Sequence, residues 1–330
     1  MGIRWSRPRR VVALLAQLAA VLLALIVCCG FAYERVGAWR DARVLTQIGR
    51  SVDIGGRSLN IFCLGHGSPT AVFESGRDAP GYIWTPTQRT VARLTRACWY
   101  DRANVGWSDP GPDPAWGDAA ARDLHALLEH AGIKPPLVLV GHSFGGYIIR
   151  FYNHFYPGDV AGMVFVDSAL EDAGTIPGIP HKNPPPVPRS VVNGLSVVLG
   201  NLGMMRFLAA DAGPPPKDWS REEWDILSRL GRQRKVLLAD AHQGPEAATA
   251  DRVRGTGGLA DMPMIVLTHG RPVNAEFKGG WVDLQRRFAA TSRRGRQVLV
   301  PGGHGIPLES PGAIADAVRG VVAMVRSERP

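Results

Sequence analysis

The sequence has no long block of lysine and arginine, and this absence bears on the partners it can have. It carries 38 basic and 29 acidic residues among 330, which gives a formal net charge of +9. One basic cluster stands at the N-terminus, whereas charges of both signs are mixed along the rest of the chain. The cluster consists of Arg4, Arg7, Arg9 and Arg10. This distribution favours a membrane flank over a nucleic-acid patch, so we expect no nucleic-acid partner.

Cysteine is also scarce, with four residues in the chain. Cys28 and Cys29 fall in an apolar run, where we interpret them as small apolar side chains. Cys63 and Cys98 lack the spacing of a metal-binding motif, so the cysteines indicate no metal site. In an exported chain these two cysteines could form a disulfide, and on the sequence alone two buried thiols are an equally good alternative.

One long apolar run is present, at residues 11–33, where Gln17 is the only strongly polar side chain. About 20 apolar residues rising ~1.5 Å each cross a hydrocarbon core of ~30 Å. We therefore predict a basic flank and transmembrane helix over residues 1–33, followed by a polar connector or helix over 34–50. A cleaved signal peptide is the main alternative because Gly30-Phe31-Ala32 resembles a cleavage site, although the apolar run is long for one.

The basic cluster favours a cytoplasmic N-terminus, although Arg35, Arg40 and Arg43 on the other side of the run dilute the bias. We expect a single-pass membrane protein with its folded domain outside the cytoplasm. The alternatives are export after signal cleavage and a twin-arginine signal at Arg9-Arg10. The sequence does not predict the oligomeric state.

Beyond residue 50 the chain predicts an α/β fold. Strand-like runs at 51–54, 58–64, 70–74 and 97–100 come first, and glycine-containing turns separate the first three as hairpin connections do, so we expect an antiparallel start. Strands at 137–140, 162–166, 264–267 and 297–300 then alternate with helical patterns at 118–131, 145–155, 280–290 and 311–325. Apolar strands alternating with helices predict a parallel sheet with helices on both faces.

This alternation breaks between residues 169 and 260. The stretch is rich in proline and also contains helix-like pieces such as 219–238. Its prolines include Pro177, Pro180, Pro184, Pro185, Pro186, Pro214, Pro215 and Pro216. A structureless loop of this length is uncommon inside a compact domain, so we predict an inserted helical cap over 169–260. It divides the α/β core into residues 51–168 and 261–330.

The strongest chemical signal is Gly141-His142-Ser143-Phe144-Gly145, which directly follows a buried strand and directly precedes a helix. In that context a Gly-x-Ser-x-Gly sequence forms a sharp turn that presents the serine as a nucleophile. The two glycines leave room for a strained backbone, and amides at the following helix N-terminus can stabilise an oxyanion. We predict Ser143 as the nucleophile and expect His142 to face away from the reacting oxygen. A glycine-rich turn with a capping serine is the alternative.

A serine nucleophile needs a base, which is almost always histidine. Among the nine histidines, His304 is the best candidate because Pro301-Gly302-Gly303-His304-Gly305 lies just past the last predicted strand. Ligand-binding groups gather at the carboxyl ends of strands in such sheets, and a histidine that comes last in the chain fits nucleophile-elbow enzymes.

From about residue 51 to the C-terminus, the chain resembles the α/β-hydrolase superfamily. The resemblance rests on the elbow at 140–146, on Tyr100-Asp101-Arg102-Ala103-Asn104-Val105-Gly106-Trp107-Ser108, and on Gly303-His304 before the closing helix. The second motif resembles the family's YDR-x-G-x-G-x-S loop and departs from it at Asn104, where glycine is common. The resemblance implies a mostly parallel eight-stranded sheet with a lid inserted after the sixth strand.

The resemblance also bears on the acid. In much of the superfamily it follows the seventh strand, but here that strand ends Leu267-Thr268-His269-Gly270 without a carboxylate. The sixth strand instead ends at Asp167, which we predict as the acid, with a loop-capping role as the alternative. Glu276 and Asp283 are poorer candidates because both fall in or near a helix.

Two further expectations come from the same resemblance. The superfamily's second oxyanion donor lies in the loop after the third strand, here Glu74-Ser75-Gly76-Arg77-Asp78, so the backbone N–H of Arg77 would join that of Phe144. The second strand runs antiparallel to the fourth, which would bring Cys63 to Cys98 and implies a disulfide between them.

We therefore expect a membrane-anchored carboxylic-ester hydrolase that acts on small-molecule ester or related acyl substrates without a cofactor. The serine speaks against epoxide hydrolase and dehalogenase chemistry, in which aspartate occupies the elbow. Amidase, peptidase, lipase or cofactor-free perhydrolase activity on the same triad remains an alternative. So does a non-catalytic binding protein built on a hydrolase fold.

Overall fold

Eight strands form one mixed sheet, which positions every predicted site residue. A computed structural model describes residues 6–111, 117–176, 189–208, 213–236, 246–257, 259–270 and 275–327. The strands are β1 (Arg50–Asp53), β2 (Ser58–Leu64), β3 (Thr70–Glu74), β4 (Ala97–Tyr100), β5 (Leu137–His142), β6 (Val160–Val166), β7 (Met264–His269) and β8 (Gly295–Val300). Their order in the sheet is β1-β2-β4-β3-β5-β6-β7-β8.

Helices connect the strands and flank the sheet. They are α1 (Ser6–Val44), α2 (Thr85–Val91), α3 (Gly117–His130), α4 (Gly145–Phe155), α5 (Arg189–Asn201), α6 (Met204–Leu208), α7 (Arg221–Gly231), α8 (Glu246–Val253), α9 (Ala275–Ala289), α10 (Ile306–Glu309) and α11 (Pro311–Arg326). Short 3₁₀ turns occur at Gly81–Trp84, Ala173–Thr175 and Arg254–Thr256.

Strands β3 to β8 are parallel to one another, as the alternation of strands and helices predicted for the later strands. Every residue of β5 is buried because helices cover both faces of the sheet. On one face, α3 and α4 contribute Leu124, Leu127 and Ile148 to the core. On the other face, α11 contributes Ile314 and Val318. The predicted α/β-hydrolase architecture is confirmed.

The antiparallel start is also confirmed, but one of its predicted connections is wrong. β1 pairs antiparallel with β2, and β2 pairs antiparallel with β4. The glycine-rich turn after β2 does not close a hairpin, because β3 pairs with β4 and β5 instead. All five residues of β3 are buried, as in a central strand with a neighbour on each side. β4 is one of these neighbours, because it lies between β2 and β3 in the sheet.

In the described part of the stretch predicted as a cap, four helices, α5 to α8, lie between β6 and β7. The predicted helical piece at 219–238 corresponds to α7, which begins with a capping box in which Ser220 and Glu223 satisfy each other's backbone N–H groups. Residues 177–188, 209–212, 237–245 and 258 of this stretch lie outside the described residues. The predicted cap prolines Pro177, Pro180, Pro184, Pro185 and Pro186 are among them.

The N-terminal apolar run belongs to a single helix, α1. Residues Val11–Val44 contain a window of mean hydropathy 2.9, none of which is buried by the protein. The helix is long and apolar enough to cross a membrane. It continues without a break through the predicted connector as far as Val44, and β1 begins at Arg50. Arg4 of the predicted basic flank lies outside the described residues.

Two cysteines face each other on β2 and β4. Cys63 and Cys98 are register partners in this antiparallel pair, their Cα atoms are 4.1 Å apart, and the two residues are joined in a disulfide. The bond closes a loop across a sequence separation of 35 residues. Cys28 and Cys29 are free and exposed on α1.

Alkylation should therefore distinguish the two pairs of cysteines. When the full chain is denatured and alkylated without reductant, we expect a mass increase of two labels, because Cys28 and Cys29 are the free thiols. After reduction, we expect four labels. Mass spectrometry measures both states, and a Cys28→Ala/Cys29→Ala variant is the matched control, with no labels before reduction. Four labels without reductant would contradict the disulfide.

Candidate active site

Ser143 lies at the sharp turn between β5 and α4, in a backbone conformation that residues other than glycine rarely adopt. Its φ is +50°, in the left-handed region. The turn is tight enough to need glycine on both sides: a Cβ added to Gly141 would lie 2.7 Å from the carbonyl oxygen of Gly145, and one added to Gly145 would lie 2.6 Å from that of Glu74. The close approach of the backbone therefore explains the glycines of the motif.

His304 lies within hydrogen-bond distance of this serine. It sits in the loop between β8 and α10, and its Nε2 is 3.0 Å from Ser143 Oγ. The parallel order of β5, β6, β7 and β8 brings the loops at their carboxyl ends to one edge of the sheet. For that reason, residues 161 positions apart in the chain meet there.

Asp167 follows β6 and completes a continuous line of hydrogen bonds. Its Oδ2 is 2.5 Å from His304 Nδ1, and its side chain is fully buried. Burial would raise the pKa of this carboxyl, but the hydrogen bonds from His269 and His304 and the charge of His304 outweigh it and hold the pKa well below its usual range. Asp167 is therefore ionised and accepts a hydrogen bond from each donor around it.

Two partners of Asp167 have no predicted role. His269, at the end of β7, is 2.7 Å from Oδ2 through Nδ1 and donates its backbone N–H to Oδ1 at 3.2 Å. Trp281 on α9 donates its Nε1–H to Oδ1 at 2.8 Å. The position of His269 at a carboxyl strand end next to β6 is a signal that could have found it, whereas nothing in the sequence marks Trp281.

The loop after β3 lies against the serine. A Cβ added to Gly76 would lie 3.3 Å from Ser143 Cβ, so glycine permits this approach. The neighbouring Arg77 places its guanidinium 4.9 Å from the centre of the Phe144 ring. The structure thus brings the two residues predicted to supply oxyanion N–H groups to the same place beside Ser143.

A buried ion pair fixes this loop. Arg102 pairs with Glu74 and donates to the carbonyl oxygens of Ser75, at 2.7 Å, and Gly76, at 2.5 Å. Tyr100 also hydrogen-bonds to Glu74. Burial raises the pKa of Glu74, although Arg102 and Tyr100 oppose the rise. The motif that contains Tyr100 and Arg102 therefore supports the loop beside the nucleophile.

The same motif accommodates its departure from the family pattern. Asn104 has a φ of +69°, a left-handed conformation that asparagine tolerates better than most residues. Asp101 anchors the loop around it by accepting the backbone N–H of Gly81 at 2.7 Å and of Trp107 at 2.9 Å. Asparagine in place of glycine thus leaves the turn intact.

Asp283, another acidic candidate, lies away from this line. It is partly exposed on α9 and forms ion pairs with Arg286 and Arg287. The side chain of Glu276 lies outside the described part of the structure. The structure therefore brings Asp167, and not Asp283, to His304.

Asp167, His269 and His304 also have the residue types of a metal site. Their ligand atoms lie within 4.8 Å of one another. The same atoms are engaged in hydrogen bonds between the carboxylate and the two imidazoles. A divalent ion bound here would have to displace the hydrogen bond between Asp167 and His304, so the donor set fits the hydrogen-bonded line better than a metal.

Relatives of known sequence align with part of the chain. A probable transporter, efuK, of Hormonema carpetanum is 36% identical over 122 residues, which cover 36% of this chain and 17% of that protein. The mouse sn-1-specific diacylglycerol lipase ABHD11 is 33% identical over 136 residues, covering 37% of this chain and 42% of the lipase. The chain spans less than half the length of the curated relatives it matches first.

Solved structures and a family match extend over more of the chain. A thermophilic esterase from Thermogutta terrifontis superposes with a TM-score of 0.62 at 20% identity, covering 85% of this chain and 99% of the esterase. This likeness concerns the fold. Residues 61–317, more than half of the sequence, match the family described as the Alpha/beta hydrolase family. Together with the sheet order and the serine turn, this match shows that the chain belongs to the alpha/beta hydrolase family.

Proposed function

We propose that the protein is a membrane-anchored serine hydrolase that cleaves carboxylic esters through a covalent acyl-enzyme. One observation carries the proposal: a line of hydrogen bonds that joins Ser143, His304 and Asp167, with separations of 3.0 Å and 2.5 Å. This is the geometry that activates a serine hydroxyl and orients its base. The mouse relative is named as a diacylglycerol lipase and the structural neighbour as an esterase, and both names support ester substrates for this chain.

The proposed reaction has two halves. Ser143 Oγ attacks the ester carbonyl carbon while His304 Nε2 takes the hydroxyl proton, and the backbone N–H groups of Phe144 and Arg77 stabilise the negative oxygen. The tetrahedral intermediate collapses, and His304 returns the proton to the departing alcohol. Water then attacks the acyl carbon with His304 as base, and the second collapse releases the acid and restores Ser143.

Asp167 holds the imidazole in the productive orientation. Because it accepts a hydrogen bond from Nδ1–H of His304, the tautomer is fixed and Nε2 is left free to receive the proton of Ser143. His269 and Trp281 in turn fix the carboxylate by occupying its remaining acceptor sites. We propose that both are positioning residues.

His142 stays neutral beneath this line. Its Nε2 lies 2.9 Å from the carbonyl oxygen of His304, and its ring centre is 4.9 Å from that of His304. Burial and the nearby charge of His304 lower the pKa of His142 to about 4. At neutral pH it therefore adds no second positive charge beside the proposed base, and it contacts the backbone of His304 rather than the serine oxygen.

The proposal includes the layout of the chain. Residues 1–33 form the basic flank and the membrane-crossing segment, and residues 34–50 connect it to the hydrolase core. The core consists of residues 51–168 and 261–330, and residues 169–260 form the cap that shapes the substrate site. The disulfide between Cys63 and Cys98 supports an extracytoplasmic domain, because such bonds persist in oxidising compartments.

Removal of the nucleophile should abolish turnover. We expect Ser143→Ala to lower kcat/KM for short-chain aryl esters by roughly 10⁴-fold or more and to prevent labelling by a fluorophosphonate, because no alcohol remains next to His304. Ester hydrolysis and labelling are measured on the full chain in detergent. Ser51→Ala, at an exposed position of β1, is the control and should keep both. Full labelling of Ser143→Ala would overturn the proposal.

The identity of the acid can be tested with two matched amide variants. We expect Asp167→Asn to lower kcat by roughly 10³- to 10⁴-fold, because the amide cannot orient and stabilise the imidazolium as the carboxylate does. Asp283→Asn removes a partly exposed carboxylate and should leave kcat unchanged. Steady-state kinetics with the same ester measures both. If Asp283→Asn lost activity and Asp167→Asn kept it, the acid would be misassigned.

His142 should make stability depend on pH. Its pKa is lowered from 6.5 to about 4 in the folded state, so the unfolded chain binds the additional proton between these values. Stability is therefore lost as the pH falls from 6.5 to 4, by about 3 kcal/mol for this group. We expect His142→Gln to reduce the change in unfolding free energy between pH 7 and pH 4 by about that amount, as measured by urea denaturation. An unchanged pH dependence in the variant would contradict the buried neutral histidine.

A further inference from the structure

Large hydrophobic side chains are exposed in two places on the described part of the protein. Sixteen lie on α1, and seven lie on the cap helices α5 and α6. The two that remain are Leu64 and Leu299. The exposed cap residues are Val191, Val192, Leu195, Val197, Val198, Phe207 and Leu208. An apolar surface this concentrated marks an interaction site rather than the scattered exposure of an ordinary surface.

The apolar cap surface is continuous with the membrane helix. A Cβ added to Gly30 would lie 3.1 Å from the carbonyl oxygen of Leu202, which follows α5. A Cβ added to Gly203 would lie 2.8 Å from the ring of Tyr33. The end of α5 and the start of α6 therefore pack against α1 at Gly30 and Tyr33, which belong to the apolar run itself.

A buried ion cluster fastens the cap at this level. Arg206 on α6 donates to Glu34 at 3.1 Å and to Asp41 at 2.6 Å, and Arg229 on α7 donates to Asp41 at 2.8 Å. Glu34, Asp41 and Arg206 are each less than a tenth exposed. Gly37 permits the contact, because a Cβ there would lie 2.2 Å from Arg206 Nε. The ion cluster therefore lies just beyond the end of the apolar run, between Glu34 and Asp41 of α1.

The residues around this ion cluster are typical of a membrane interface. Tyr33 and Trp39 are exposed on α1, and aromatic side chains of this kind gather at the level of lipid headgroups. The guanidinium of Arg43 lies 3.7 Å from the centre of the Trp39 ring. Exposed arginine and aromatic side chains therefore border the apolar surfaces of α1, α5 and α6 on the side of the hydrolase core.

We propose that α5 and the adjoining α6 lie in the interface of the same bilayer that α1 crosses, with their aliphatic side chains among the acyl chains. The inference rests on the proposed membrane anchoring by α1. Lipid is the partner that this surface favours, because a single bilayer can contact the exposed apolar side chains of α1 and α5 at the same time. In the sequence of α5 the charged residue is Arg189 at its first position, and the exposed residues of this helix for which the structure describes the exposure are aliphatic or glycine. A helix of this kind gains free energy by burying its apolar face at the headgroup boundary.

Site-directed fluorescence can test the contact in the full chain. Single cysteines are introduced in a Cys28→Ala/Cys29→Ala background, in which Cys63 and Cys98 stay bonded and do not react. The test position is Leu195→Cys on α5, and the matched control is Leu299→Cys on β8, since the two leucines are 55% and 56% exposed. Leu25→Cys on α1 reports the anchor itself. Each thiol carries an environment-sensitive fluorophore in phosphatidylcholine vesicles.

Brominated acyl chains should quench the label at Leu195→Cys and at Leu25→Cys, and both should be shielded from aqueous iodide. The label at Leu299→Cys should show the reverse, with iodide quenching several-fold stronger than at Leu195→Cys. If Leu25→Cys senses lipid while Leu195→Cys behaves like Leu299→Cys, the inference fails and the anchor stands. If Leu25→Cys does not sense lipid, the anchoring itself fails.

A second copy of the chain is the competing occupant of the α5 surface. In that case, the unlabelled Leu195→Cys variant would form a disulfide-linked dimer on mild oxidation. In a separate, labelled preparation of the same variant, the fluorophore would stay insensitive to brominated lipid. That combination would overturn the inference, whereas lipid quenching without the dimer supports it.

Discussion

The arrangement of the site depends on a carboxylate that is completely enclosed and remains charged. Burial of an isolated carboxylate costs several kcal/mol, and the protein offsets this cost at Asp167 with four hydrogen bonds. The donors come from the end of β7, from α9 and from the loop after β8. One anion therefore fixes the positions of three segments, and the imidazole that contacts Ser143 is among the groups it fixes.

The backbone around this anion is itself constrained. Asp167 has a φ of +44°, and Ser143, on the neighbouring strand, has a φ of +50°. The residues at the ends of two adjacent strands thus have backbone conformations that an isolated chain would avoid. The sheet enforces them: Asp167 donates its N–H to Leu267 on β7, and Ser143 donates its N–H to Val166 on β6. At these strand ends the strained conformations are confined to the two residues, and the hydrogen bonds between the parallel strands on either side maintain them.

Sequence patterns were sufficient for the parts of the molecule that short segments determine. The glycines around Ser143 reflect a close backbone approach within a few residues, so the motif identifies the turn. The runs of apolar residues in β5 and β6 identify strands covered on both faces. The carboxylate that contacts His304 could also be placed from the sequence, because His269 occupies the strand end where a carboxylate is usual and Asp167 directly follows the strand before it.

Other features depend on which segments meet in space. The turn after β2 looks like a hairpin turn, but the insertion of β4 between β2 and β3 is decided by the whole sheet. Arg206 and Glu34 are 172 positions apart, and neither lies in a recognisable motif. The supporting roles of Trp281 and of the ion pair between Arg102 and Glu74 likewise arise from packing between distant elements. No local pattern carries that information.

The ion cluster between α1 and the proposed cap means that the N-terminal helix, besides being the proposed membrane anchor, is a structural component of the folded domain. Arg206 is surrounded by carboxylates that belong to α1, so proteolysis that detached the domain beyond residue 41 would leave a buried guanidinium without either counterion. The cap would then have to repack or admit water. A released form of the domain would therefore differ from the anchored form in the shape of its cap, and not in its location alone.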